Sequence, residues 1–184
     1  MGTVKNTVNP NKFNIDNIPK NLIETHSYTN NKLIIDFSFA GSFVSCECGE
    51  FNNYLTDGNE YIIKFRKIMK DVENLSDNTL CKLINSDEHS HCHKVAKEDE
   101  KRALNIIKKT FKKIGKNESY FQQEVGGEGI VQLGLQSEVR LFGTVKGNIF
   151  RVYFTDYFHD FEFDGRRNTR NKKNCKFCVI NTKI

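Results

Sequence analysis

The chain has no tryptophan and only two prolines among its 184 residues. So few prolines exclude a proline-rich linker, and the 15 phenylalanines and 6 tyrosines supply what an ordered aromatic core needs. Also missing is any apolar run near the roughly 20 residues that cross a bilayer. The opening MGTVKNTVNPNKFN is polar and Asn-rich, unlike a signal peptide, and Asn6 stands where a myristoylation signal needs Ser or Thr. The expectation is a cytoplasmic protein without a lipid anchor. Nor is there a phosphate-binding glycine loop, a catalytic-triad signature or an EF-hand loop. The common nucleotide hydrolases and calcium sensors are thereby set aside.

What is present fits one domain, because a chain of this length buries roughly two thirds of its unfolded surface. Residues 1–31 read as an Asn-rich arm, residues 32–163 as a single α+β domain, and residues 164–184 as a basic, Cys-containing tail. The net charge of +5 is concentrated in that tail, where seven Lys and Arg stand against Asp164 alone and leave −1 for residues 1–163. Six cysteines in a chain of this kind are reduced thiols or metal ligands more readily than a disulfide framework.

Periodicity gives the elements. In NKLIIDFSFAGSFVSCECGEF, Ile35, Phe37 and Phe39 alternate with Asp36 and Ser38, a strand pair turning near Gly41. EYIIKFRKIMKDVENL places Ile62, Phe65, Met69, Val72 and Leu75 on one helical face. Ser76 is a candidate cap for a short helix, DNTLCKLI. AKEDEKRALNIIKKTFKKIG aligns Leu104, Ile107, Phe111 and Ile114, with acids first and lysines last as the helix dipole favours. SYFQQEV, GIVQLGLQ, EVRLFGTV and IFRVYFTD then read as successive strands. The expected architecture is an antiparallel sheet of about four to six strands with two or three helices on one face.

The last two strands form a hairpin around Lys146-Gly147-Asn148 and carry unusual polar residues for so apolar a stretch. Arg140 sits on one strand, Arg151 and Tyr153 on the next, and His159 follows among aromatics. Metal-free RNA cleavage needs a proton acceptor, a proton donor and cations around the phosphorane. His159 is the candidate acid or base, Arg140 and Arg151 the phosphate clamp, and Tyr153 or Tyr157 a platform for a base. The competing reading is structural, with the arginines paired to Glu138 and Asp156 across the hairpin.

The layout R-L-F-G, turn, F-R-V-Y-F, D, then H and an aromatic resembles the terminal strands of RelE-type messenger RNA interferases, the toxins of bacterial toxin–antitoxin pairs. That resemblance covers about 25 residues. It implies metal-independent RNA cleavage and a partner antitoxin over the active face. The order of a DFSF-like strand, a helix followed by LS, an H-C-H segment and the hairpin is also similar to uncharacterised small proteins of bacteria and mobile elements, a likeness that implies no function.

Two constellations suggest metal. Cys46 and Cys48 with Cys175 and Cys178 offer four thiolates, the number a tetrahedral zinc takes. In HSHCHK, His89, His91 and His93 share a side if extended and form a second candidate site, against the reading of a His-rich polar loop. The tail residues Arg166, Arg167, Arg170, Lys172 and Lys173 are candidates for binding nucleic-acid phosphates. Two functions therefore stand side by side. One is a toxin-like endoribonuclease; the other is a non-enzymatic, zinc-stabilised protein of a mobile element or defence system that binds nucleic acid or a protein.

Overall fold

The computed structural model describes residues 31–85, 91–127, 129–136, 138–162 and 172–181. It is α+β, with a five-stranded sheet, a separate two-stranded hairpin and, among the described residues, four α-helices. In chain order the elements are β1 (Ile34–Asp36), β2 (Glu47–Cys48), β3 (Phe51–Asn52), α1 (Gly58–Ser76), α2 (Leu80–Asn85) and β4 (His93–Lys94). They continue with α3 (Lys97–Lys113), α4 (Glu118–Val125), β5 (Val131–Gly134), β6 (Arg140–Lys146) and β7 (Ile149–Asp156). The main sheet runs β1-β7-β6-β5-β4, antiparallel throughout except that β1 lies parallel to β7.

The β6–β7 hairpin forms where the sequence places it. Lys146 pairs with Ile149, and Gly147 takes the left-handed turn position at φ 64° that a tight hairpin requires. A bulge between Phe142 and Gly143 shifts the register, so Phe142 opposes Phe154 while Gly143 opposes Val152. Alternation then sorts the side chains into two cores. Leu141, Phe150 and Val152 pack with Ile68 and Leu75 of α1 and with Leu80 and Leu83 of α2. Phe142, Tyr153 and Phe154 pack with Ile106, Ile107 and Phe111 of α3 and with Phe121 of α4. Helices thus cover both faces of the sheet rather than one, because β6 and β7 carry large apolar side chains in both directions.

Local signals explain the helix boundaries. The Asp57 carboxylate accepts from Glu60 N at 2.9 Å, and Glu60 reaches back to Thr56 N at 2.7 Å, a reciprocal cap. The buried residues of α1 are Ile68, Asp71 and Leu75, and Met69 and Val72 of the expected face pack against the same core, while Ile62 is exposed. Ser76 lies in α1 and donates back to Glu73 O at 2.8 Å, while Thr79 Oγ1 accepts from Lys82 N at the start of α2. SYFQQEV is helical, contrary to the strand expected: Asn117 caps it by accepting from Tyr120 N at 2.9 Å, and Phe121 and Val125, four apart, are its buried residues. Between β1 and β2, residues Ala40–Phe43 form a 3-10 turn instead of a second long strand.

The end of the tail is part of the body. Leu55 and Phe177 exchange backbone hydrogen bonds at 3.2 and 2.9 Å, and Cys175 and Cys178 are buried. All but Asn31 of the expected arm, residues 1–31, lies outside the described residues.

Candidate acid–base site

Asp156 ends β7 fully buried, and its carboxylate accepts from the N–H groups of Phe158 at 3.1 Å and Phe161 at 2.8 Å. Burial pushes the Asp156 carboxyl up from its ordinary range. These two bonds fold the following residues into a tight loop. At its apex His159 takes φ 59°, the one positive φ outside glycine among the described residues. An L-residue held there stores strain, which is found most often where function sets the geometry.

The loop brings His159 Nε2 to 2.9 Å from Glu162 Oε2. The other oxygen of Glu162 accepts from Gln132 Nε2 at 3.0 Å and lies 3.5 Å from His93 Nε2. Sheet register supplies this second half, since His93 on β4 stands directly opposite Gln132 on β5. Gln132, itself buried, also donates to His91 O at 3.3 Å and so fixes the segment entering β4. Gly134 permits the approach: a Cβ there would lie 2.2 Å from the His91 Cβ. The His91 and His159 rings face each other edge-on with centroids 6.4 Å apart.

Arg140 completes the surroundings. It opens β6, paired with Gly134 on one side and Asp156 on the other, and is buried with Nη1 donating to Val139 O at 3.0 Å. Desolvation first, and then the fixed charge of Arg140, lower the His91 pKa. His93 moves the opposite way, raised chiefly by its hydrogen bond to Glu162. The neighbouring His159 and His93 imidazoles and the Gln132 amide hold the Glu162 carboxyl far below its usual range. His93 Nδ1 lies 3.0 Å from Lys94 O, which assigns a proton to that nitrogen and leaves Nε2 as the atom that titrates. The two imidazoles are thus shifted in opposite directions, His91 toward the neutral form and His93 toward the charged one.

The other sequence candidates lie elsewhere. Arg151 donates to Asp36 at 2.9 Å and to Glu124 at 2.7 Å, near the opposite end of β7. Five residues of strand separate it from Asp156, about 16 Å. Tyr153 is buried among Phe39 and Phe111, with its hydroxyl on Thr144 at 3.1 Å and Glu124 O at 3.0 Å. Neither reaches the histidines, so Arg151 and Tyr153 leave the catalytic set proposed from sequence. The Tyr157 ring is buried too, and burial drives its hydroxyl pKa upward.

Cys46, Cys48, Cys175 and Cys178 do gather at one corner, beside the Leu55–Phe177 pairing. Cys178 Sγ accepts from Ser45 N at 3.3 Å, and burial pushes the Cys46 thiol up to about 12. Among the described residues, no group of three or more His, Cys, Asp or Glu side chains converges as a metal-ligand set. His89, Arg166, Arg167 and Arg170 lie outside the described residues, as does the side chain of Lys172. Lys173 lines a cavity near the thiols.

Sequence reading missed Glu162 and Gln132. The first had a signal, since His159 and Glu162 are three apart in one loop; the second shows only as a polar residue within the apolar run of β5.

A family model described as Uncharacterised protein UU032 matches residues 38–184. The chain belongs to that family. The matched span of the UU032 family contains every residue of the histidine cluster, both cysteine pairs and the basic tail. No curated protein and no solved structure matches the chain. No described helix is long and apolar enough to cross a membrane.

Proposed function

We propose that this protein is a metal-independent endoribonuclease of the RelE-like kind whose acid–base machinery is His91, His93 and His159 around Glu162. The observation that carries the reading is the single carboxylate, Glu162, shared by His93 and His159 while His91 stands outside it with the opposite proton preference. Two titratable groups pushed apart in this way are what a base and an acid require near neutral pH.

In the proposed step, neutral His91 takes the proton of a ribose 2′-hydroxyl and the 2′-oxygen attacks phosphorus. As the bond from phosphorus to the 5′-oxygen breaks, the His93 imidazolium protonates that leaving oxygen. The products are a 2′,3′-cyclic phosphate and a free 5′-hydroxyl, with no oxidant or metal consumed. Arg140 supports the anionic phosphorane through its buried positive charge rather than by a clamp. Glu162 and His159 orient and charge His93. On this reading a protein antitoxin covers the same face.

The test is cleavage of a mixed single-stranded RNA in EDTA by wild type and by His93→Ala, with circular dichroism as the check on folding. Cyclic-phosphate products from wild type, lost in a folded variant, are expected. Equal cleavage by both, or none by either, removes the proposal and leaves the second reading, a protein that binds nucleic acid without cutting it. The clustered lysines near the tail favour that alternative.

A further inference from the structure

Away from the histidines, α3, the β2–β3 hairpin and the docked tail line an open cavity of about 970 Å³. Its described lining includes Lys109, Lys112 and Lys113 of α3 and Lys173 and Lys176 of the tail, against Glu47 as the one acid. Two chain segments thus bring five lysines to the lining of one concavity.

Two of these charges are fixed in place. Lys109 Nζ donates to Glu47 O at 2.9 Å, and Lys113 Nζ donates to Ser45 O at 2.7 Å and to the Tyr54 hydroxyl. Among the described residues their partners are carbonyl and phenol oxygens, so no carboxylate neutralises them. Lysines held this way keep their full charge directed at whatever enters. The remaining lining is less polar: Tyr54, Asn52 and the thiols of Cys46 and Cys175. A cavity of this volume falls within the range that encloses one drug-sized ligand. Excess positive charge on one part and an aromatic ring with soft sulfur on another match a phosphate chain joined to a flat heterocycle.

We infer that this cavity is a binding site for a nucleoside polyphosphate, with the phosphates on Lys109, Lys112, Lys113 and Lys176 and the base toward Tyr54. A volume of about 970 Å³ is the size of a pocket for one small ligand, which favours a single nucleotide over a longer strand. The site is separate from the histidine cluster and does not depend on the ribonuclease reading.

Isothermal titration calorimetry with ATP, AMP, sodium tripolyphosphate and a ten-nucleotide RNA tests it on the full chain. The comparison is wild type, the double variant Lys112→Gln/Lys176→Gln at two exposed positions, and His93→Ala. ATP and tripolyphosphate should saturate one site and compete, with AMP at least tenfold weaker and affinity falling as salt rises. The double variant should lose tenfold or more while His93→Ala binds as wild type does. The inference is overturned if neither ATP nor tripolyphosphate saturates by millimolar concentration at low salt, if the double variant binds unchanged, or if only the RNA binds.

Discussion

At His159 two requirements meet in one residue, a left-handed backbone and an imidazole pointed at Glu162. Glycine satisfies the first and alanine neither, so the two substitutions separate strain from chemistry. His159→Gly should be about 1 kcal/mol more stable than His159→Ala, because only the alanine retains the steric cost of positive φ. Both should cleave RNA poorly. Denaturant melts of the two variants check this, and equal midpoints would mean that the loop relaxes its φ on substitution. At Glu162 the prediction concerns pH. The raised value of His93 makes its contribution full below the ordinary histidine value of 6.5 and lost as pH rises through the raised one. The lowered value of Glu162 makes its contribution full above the ordinary 4.5 and lost as pH falls through the lowered one. Both are complete between those limits. The gap in Tm between wild type and Glu162→Gln should therefore be widest near pH 5 to 6 and shrink by pH 8. The stability difference behind that gap should be about 1 kcal/mol or less, since both side chains are partly exposed and screened. A gap that grows toward pH 8 would place the important proton elsewhere.

At the scale of the element, β4 is only two residues long, and its position against β5 decides whether His91 and His93 reach the site. Gly134→Ala tests that placement without touching an imidazole. The added methyl meets the His91 Cβ at 2.2 Å and its carbonyl oxygen at 2.9 Å, so one of the two segments must move. Overpacking of this kind costs about 1–3 kcal/mol, and activity should fall further than stability explains. Wild-type cleavage by the folded variant would show that β4 need not sit where it does. Elements with a single strong period were legible in advance. The β6–β7 hairpin and α3 follow their patterns because turn chemistry, charge order and apolar spacing all agree. α4 did not, because in seven residues the spacing of Phe121 and Val125 competes with an equally plausible alternation, and the cap at Asn117 decides it. The face of α1 was legible at Met69, Val72 and Leu75, which pack on the core, but not at its first turn, where Ile62 is exposed, nor at Asp71, whose burial residue type argues against.

Across the whole molecule, the candidate site joins His91, Gln132, Arg140, His159 and Glu162, which only strand register brings together. His159 and Arg140 stood out in the sequence because they lie on the conspicuous hairpin. Their true neighbours did not, since no local pattern reports which strand lies beside which. The same holds at the tail, where charge marked residues 164–184 as a separate segment but Phe177 pairs with Leu55, more than 120 positions earlier. Docking of this segment is a structural commitment with a measurable cost. A stop codon in place of Lys172 removes both backbone bonds to Leu55, the Cys178 acceptor of Ser45 N, and the two buried cysteines. Net hydrogen bonds of about 1 kcal/mol each and the exposed apolar area together predict a loss of about 2–4 kcal/mol. At about 2–4 °C per kcal/mol for a domain of this size, Tm should drop by roughly 5–15 °C. Cleavage measured well below the new Tm should persist, because no residue of the histidine cluster lies beyond Glu162. An unchanged Tm would mean that the tail is carried by the body without supporting it, and with it would go one wall of the lysine cavity.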